Sequence, residues 1–443
     1  MGTPQKLAST FDVTAVRRDF PTLGDSLAYF DSVASSLTPR PVIDAMTEYY
    51  TSYRANVHRG SYDLSMRASQ RFDDALTTIA RFLNASTEEI VLTSNTTTAI
   101  NLVAATLDFE PGDEIVLSNL EHTSNMAPWM RIANKQGVNV RWYNADRDGG
   151  FDLDTFRGLL SDRTKLVTLA HVTNILGNRL PVEEIGAICR ERDILFLIDA
   201  AQSAPHLPLD VSKLNCDFLA FSGHKMLGPT GIGVLYIRRQ YAVSLIPGVL
   251  GGGTIDTTAC AAPTLDGCVL SDCSFTSLPD KWQAGTPPIA EALGLAAAID
   301  YLTDLGLDNL AAHEEQLMHQ LCDGLSAIDG VELYGPPNPA DRVAVVSFNI
   351  AGRDFTEVGQ LLNDRYGVAV RAGQHCALNY FFNELHEEDS RAGNVRASLY
   401  LYNTADEVDR LIAAVADIAA QERDRCPTSP PPPPPYGSSP NRG

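Results

Sequence analysis

The chain has 443 residues, 44% of them hydrophobic, and a formal net charge of −21 at pH 7, so it is long enough for two domains around a large buried core. An acidic balance of that size repels nucleic acid and anionic membrane surfaces. With no apolar run near the length of a membrane span and no basic, apolar leader, the expectation is a cytoplasmic protein with neither partner.

Eight cysteines, Cys189, Cys216, Cys260, Cys268, Cys273, Cys322, Cys376 and Cys426, are too sparse for a disulfide scaffold. Cys260, Cys268 and Cys273 cluster without the C-x-x-C spacing of a zinc site, so they read as a loop and no metal is expected.

In chain order, the residues through Thr10 read as disordered and Asp12 to Phe20 as a short helix before Pro21. Leu27 to Ser35 reads as a strand ending in small residues, among them Ala34, where either a ligand lies against backbone or the chain simply turns. An amphipathic helix from Pro41 to Tyr53 leads to Asn56-Val57-His58-Arg59-Gly60, a His-Arg loop open to solvent or to a ligand. After a helix from Met66 to Asn84, the strand Ile90 to Thr93 runs into Ser94-Asn95-Thr96-Thr97-Thr98 and a helix from Ala99 to Leu107. A threonine cluster at such a junction is an N-cap, and the same free N–H groups make a seat for phosphate.

Asp113 to Asn119 forms the next strand, followed by Glu121-His122-Thr123-Ser124-Asn125 at the head of a helix through Ala133. A lone histidine there caps the helix or faces solvent as readily as it meets a ligand. The strand Leu166 to Ala170 continues into His171-Val172-Thr173-Asn174, and a helix from Val182 to Arg192 leads to the apolar run Ile194 to Ile198. That run is typical of a buried parallel strand, and it ends in Asp199, with Gln202 three residues on. A carboxylate at a strand's C-terminal end lies on the ligand edge of an open α/β sheet.

Cys216 to Lys225 is a short apolar strand that passes through Ser222-Gly223-His224 and stops at a lysine, in a chain with only a handful of lysines, with Gly228, Gly231 and Gly233 close behind. Such an amine can form a Schiff base with a carbonyl. Asp199 and Lys225 are the pair that pyridoxal phosphate needs: the lysine holds the aldehyde and the carboxylate keeps the pyridine nitrogen protonated. Strands near residues 90, 115, 140, 167, 196, 219 and 234, with helices between most of them, predict an α/β fold with a mostly parallel sheet covered on both faces.

A long loop from Gly251 to Asp280 carries no legible pattern, and Trp282-Gln283-Ala284-Gly285-Thr286-Pro287 follows it. From Ile289 two amphipathic helices run to Ile328, with strands near Val331 to Tyr334 and Val343 to Asn349, the mixture of a second, smaller α+β domain. That region holds Val370-Arg371-Ala372-Gly373-Gln374-His375-Cys376-Ala377 and Val395-Arg396-Ala397-Ser398. Small buried cysteines are common, whereas a planar guanidinium such as that of Arg396 binds a carboxylate through two parallel hydrogen bonds. Pro430 to Pro435 make a solvated polyproline II tail.

Together these segments resemble the cofactor motifs of the class V aminotransferase superfamily, a branch of the fold-type I pyridoxal phosphate enzymes, and specifically its type II cysteine desulfurase and selenocysteine lyase members. The resemblance runs from Tyr29 to Ala420. It implies a fold-type I transferase with a large cofactor domain over residues 23–290, built on a seven-stranded sheet. A small α+β domain over 291–424 is helped by the N-terminal segment 1–22, and 425–443 form the tail.

By the same resemblance Lys225 holds the cofactor and moves the α-proton, Asp199 faces the pyridine nitrogen, and His122 stacks on the ring and shuttles protons. Asn174 bonds the phenolic oxygen or the substrate carboxylate, and Gln202 donates to that phenolic oxygen. Thr96, Thr97, Ser222 and His224 hold the phosphate, which Thr286 reaches from the partner subunit of a homodimer. Ala34, His58, Arg371 and Arg396 lie on the substrate side, Arg396 taking the substrate carboxylate. Arg371-x-Gly373-x-His375-Cys376-Ala377 resembles the persulfide loop, in which Gly373 permits a tight turn and Arg371 and His375 favour the thiolate of Cys376.

The implied reaction converts L-cysteine to L-alanine, with sulfur passing to Cys376 as a persulfide and on to an acceptor protein or small thiol, iron–sulfur cluster assembly being one destination. Three positions depart from the pattern: Tyr62 and Gln374 stand where the family often has histidine, and Gln283 where it has glutamate. A selenocysteine lyase acting on L-selenocysteine and a cysteine C–S lyase share the scaffold. A non-catalytic scaffold for sulfur transfer is the rival of another class, and the retention of Lys225, Asp199, Cys376 and Arg396 together argues against it.

Overall fold

A computed structural model describes residues 11–24, 27–256, 274–384 and 392–425. The start expected to be disordered, the stretch from Cys260 to Cys273 expected to be a loop, Cys426 and the expected proline tail lie outside the described residues.

The chain opens with α1 (Val13–Arg17), capped by the Asp12 carboxylate, which accepts the Ala15 N–H. It continues through β1 (Ala28–Tyr29), α2 (Arg40–Glu48) and α3 (Asp63–Phe82). The helix expected to reach Tyr53 ends at Glu48 and runs on as one wider turn over Tyr49–Tyr53.

Seven strands, β2 (Ile90–Thr93), β3 (Glu114–Ser118), β4 (Asn139–Tyr143), β5 (Thr164–Ala170), β6 (Leu195–Asp199), β7 (Phe218–Ser222) and β8 (Gly233–Ile237), form one sheet in the order 2-8-7-6-5-3-4. β3 to β7 pair in parallel, and β8 runs antiparallel to both β7 and β2. Interleaved with them are α4 (Thr96–Thr106), α5 (Ala127–Gln136), α6 (Leu153–Leu159), α7 (Val182–Glu191), α8 (Val211–Leu214) and α9 (Arg239–Ser244).

Both faces are buried. Phe196, Ile198, Leu219 and Phe221 point into one core, while Leu197, Phe218 and Ala220 point into the other. That alternation is why these strands read as unbroken apolar runs.

The remainder comprises α10 (Ile289–Leu305), α11 (Leu307–Ser326), β9 (Val331–Tyr334), β10 (Val345–Ile350), α12 (Phe355–Tyr366), β11 (Val368–Ala369), β12 (Arg371–Gly373), α13 (Leu378–Glu384), β13 (Asn394–Ser398) and α14 (Ala405–Arg425). Four of these strands make an antiparallel sheet in the order β12-β13-β10-β9, with a core of its own that includes Phe348, Val395 and Leu411. β1, which follows the N-terminal segment, pairs in parallel with β11 of this unit.

α10 differs from the amphipathic expectation: it is buried around most of its circumference and packs on α2 and α3 within the larger core. A helix of Ala and Leu without a polar face belongs in an interior. On this packing we propose that the units divide at Gly306 rather than at residue 290. No helix of the described residues is long and apolar enough to cross a membrane.

Candidate active site

The C-terminal ends of β5, β6 and β7 open into a cavity of about 240 Å³. Its walls include Ala34, Thr96, Thr97, His122, Asn174, Asp199, Gln202, Ser222, His224, Lys225, Arg371 and Arg396, drawn from both sheets. Close packing here leaves no room for a side chain at two glycines. A Cβ on Gly233 would stand 2.6 Å from the Asn95 Cα, and one on Gly223 2.8 Å from the Ile232 Cγ2 and 3.2 Å from the Pro229 carbonyl oxygen.

Lys225 ends the turn that leaves β7. Burial pushes its pKa down to about 8, against the pull of Asp199. Asp199 is buried, accepts the Ala201 N–H at 2.9 Å, and has its own pKa raised by burial while Lys225 opposes the shift. The lysine is protonated, and so not nucleophilic, below its pKa. The rate at which cofactor-free protein captures pyridoxal phosphate should therefore rise about tenfold per pH unit up to pH about 8 and then level. Yellow colour followed against pH measures this, and a rate still climbing toward pH 10 would mean an ordinary solvated lysine.

His122 is carried by a segment that Glu121 holds in place, its carboxylate accepting from Ser118, Asn125 and the Ala170 N–H. The imidazole Nδ1 accepts the Ser124 N–H at 3.1 Å, which assigns the hydrogen to Nε2. Burial, and then the charges of Lys225, Arg371 and Arg396, push the His122 pKa down to about 3. It is thus a neutral ring, and any proton it shuttles passes through Nε2.

At the other end of the cavity α4 begins at Thr96, earlier than expected, because Asn95 is the cap, its Oδ1 accepting the Thr98 N–H at 2.9 Å. The threonines therefore form the first helical turn. The N–H of Thr96 donates to the Ser222 hydroxyl at 2.8 Å, and the hydroxyls of Thr96 and Ser222 pair at 2.7 Å. Thr97 pairs with Ser124, also at 2.7 Å, and the His224 ring meets Ser35. Hydroxyls gathered at a helix N-terminus suit a phosphate.

On the substrate side Arg396 is 1% exposed, donates to the Asn174 carbonyl at 2.9 Å and lies 3.4 Å from Asp31. Burial lowers its pKa only to about 10, so it remains a cation. Its Nε is buried without a partner, as are Gln202 Oε1 and Asn174 Oδ1. The amide nitrogen of Gln202 already donates to Val33 O at 3.0 Å, and that of Asn174 to His375 O at 2.7 Å. One hydrogen of the Gln202 amide is thus already committed, and the other is left for the donor role expected of it. Buried polar atoms awaiting partners, with a carboxylate, an amine and a hydroxyl cluster around them, fit pyridoxal phosphate and an amino-acid substrate.

Cys376 is exposed, its Sγ 3.9 Å from Arg371 Nη2. It and His375 both sit in the left-handed region, at φ 58° and 51°, and Gly373 has φ 133°. Two such non-glycine residues cost roughly 1–3 kcal/mol each and persist only where surroundings impose them. His375 corrects an expectation. It is buried, its Nε2 lies 2.8 Å from Asn394 Oδ1, and its pKa falls to about 3. It anchors the loop as a neutral ring, leaving Arg371 as the cation beside the sulfur.

His58 and Thr286 are not brought to this cavity. Both are exposed and line a separate cleft of about 790 Å³ together with Arg59 and Gln283. Gln283 has a visible purpose: its amide accepts the Leu92 N–H at 2.6 Å and donates to Leu92 O at 3.4 Å, pairing the edge strand β2. An ionised glutamate would only accept. Asp31, Asn95, Thr123 and Ser124 are further site residues not singled out from the sequence, although Asp31 lies two residues past the end of β1 beside small residues, a signal close to the one read at Asp199.

A family model described as aminotransferase class-V matches residues 28–411. A probable cysteine desulfurase of Halobacterium salinarum is 43% identical over 414 residues, spanning 91% of this chain and 96% of that protein. The apo structure of cysteine desulfurase from Thermococcus onnurineus NA1 superposes with a TM-score of 0.86 at 40% identity, covering 94% of this chain and all of that one. A lysine-to-alanine mutant of C-DES, with glycine covalently linked to its pyridoxal phosphate cofactor, gives 0.76 at 25% identity over 90% of this chain and 99% of its own.

Proposed function

The chain belongs to the class-V aminotransferase family, and from that premise we propose that it is a pyridoxal-phosphate-dependent cysteine desulfurase that moves the sulfur of L-cysteine onto Cys376. The observation that carries this reading is the Cys376 loop, a thiol on a strained and anchored turn, beside Arg371, whose side chain lines the cavity of Lys225 and Asp199. A lyase that releases free sulfide has no need of such a thiol.

When bound, pyridoxal phosphate supplies an electron sink that makes the substrate α-proton removable. The chain's own residues do the rest. Asp199 would face the pyridine nitrogen and keep it protonated, while Thr96, Thr97, Ser222 and His224 would hold the phosphate. Gln202 would use the second hydrogen of its amide toward the phenolic oxygen, and Asn174 would bind there or at the substrate. Arg396 takes the substrate carboxylate through the face that Asp31 leaves open, with Ala34 allowing close approach, and Lys225 Nζ takes the α-proton.

The Cys376 thiolate then forms an S–S bond to the substrate sulfur. The electron pair of the breaking C–S bond stays on carbon, which gains a proton. Enzyme thiol and cysteine give enzyme persulfide and alanine, so no outside oxidant is needed. Selenocysteine offers the same thiol an equivalent bond and is the alternative substrate.

We propose further that the protein is a homodimer in which His58 and Thr286 serve the partner's cavity, since both are exposed and away from Lys225 within one chain. An acceptor protein or small thiol removes the persulfide sulfur at exposed Cys376. The described cysteines are free, and a working thiol suits the reducing cytoplasm. Incubation with L-cysteine tests the reading: alanine without pyruvate is expected, whereas pyruvate, ammonia and free sulfide would make the protein a C–S lyase.

A further inference from the structure

Thr123 directly follows His122 and opens the tight turn Thr123–Asn125. It spends two donors on one acceptor: its N–H lies 2.8 Å and its hydroxyl 2.9 Å from the carbonyl oxygen of Cys376. That carbonyl belongs to the second of two successive left-handed residues, and Asn174 holds the carbonyl of the first. Any residue except proline would supply the N–H. Only a hydroxyl supplies the second bond, and it reaches across 253 positions of sequence.

We propose that Thr123 is a positioning residue: its hydroxyl fixes the Cys376 loop against the His122 segment and so sets where the sulfur stands relative to the reacting centre. His122 and Cys376 are joined through one residue, so the ring position and the thiol position are geared together. Loss of the hydroxyl lets the strained turn relax toward ordinary backbone geometry while leaving Lys225 untouched. The inference rests on the desulfurase reading for its catalytic consequence, though not for its structural one.

Thr123 is only part-buried, so Thr123→Val, which keeps the shape without the hydroxyl, and Thr123→Ser, which keeps the hydroxyl, are tolerable changes. In cofactor-free full-length protein, the Ala377 amide, which donates to Gln374 O at 2.9 Å within the loop, reports opening by hydrogen–deuterium exchange. Exchange should quicken about tenfold in Thr123→Val and return to the original rate in Thr123→Ser. In loaded enzyme, persulfide formation on Cys376 should fall about tenfold in Thr123→Val and recover in Thr123→Ser, while exchange of the substrate α-hydrogen with solvent is unchanged.

Loop exchange and persulfide formation equal to the unaltered protein would overturn the inference, as would an equal loss of α-hydrogen exchange, which signals general damage. If the unaltered protein makes no persulfide at all, the desulfurase reading fails. Quickened loop exchange in Thr123→Val would still support the anchor in that case.

Discussion

Lys225→Ala should retain pyridoxal phosphate without the yellow colour of its lysine-bound form, and should lose turnover of L-cysteine by roughly 10²–10⁴-fold. Lys225 is the one amine among the residues lining the cavity, and burial has already brought its pKa down to about 8, where an amine takes and returns protons near neutrality. Neither neighbouring imidazole replaces it. His122 is held near pKa 3 with Nδ1 occupied, and His224 is held near 4 with Nδ1 on Ser35. The sharp readout is exchange of the substrate α-hydrogen with deuterated solvent, which should vanish with the lysine. Exchange at the original rate in Lys225→Ala would assign the proton to another group.

Cys376→Ala separates the second half of the reaction from the first. Alanine formation from L-cysteine should fall about a thousandfold or more, while α-hydrogen exchange and cofactor binding persist. Cys376 is exposed and its sulfur packs in no core, so stability should change by less than about 0.5 kcal/mol. Undiminished alanine production by this variant would remove Cys376 from the chemistry.

The parts of this architecture visible in sequence are those that local chemistry decides. Strands buried on both faces read as apolar runs, so β5, β6 and β7 stand where the pattern puts them, with Asp199 closing β6 and Lys225 one turn beyond the end of β7 rather than on the strand. α10 reads as an amphipathic helix, and its burial escapes that reading because it gives weight to the few polar residues among the alanines and leucines. The start of α4 escaped because Asn95, rather than a threonine, caps it.

Long-range pairings carry no local signal. Asp31 meets Arg396 across 365 positions and Thr123 meets Cys376 across 253. The role of His375 depended on burial, which turned an expected cation into a neutral anchor on Asn394. His58 and Thr286 carry motif residues into a cleft that one chain does not join to Lys225.

The most direct measurement is mass spectrometry of the peptide bearing Cys376 after a single turnover with L-cysteine, with alanine counted in the same sample. One added sulfur atom on Cys376 for each alanine is the predicted result. Alanine or pyruvate appearing while that peptide keeps its original mass would contradict sulfur transfer through Cys376.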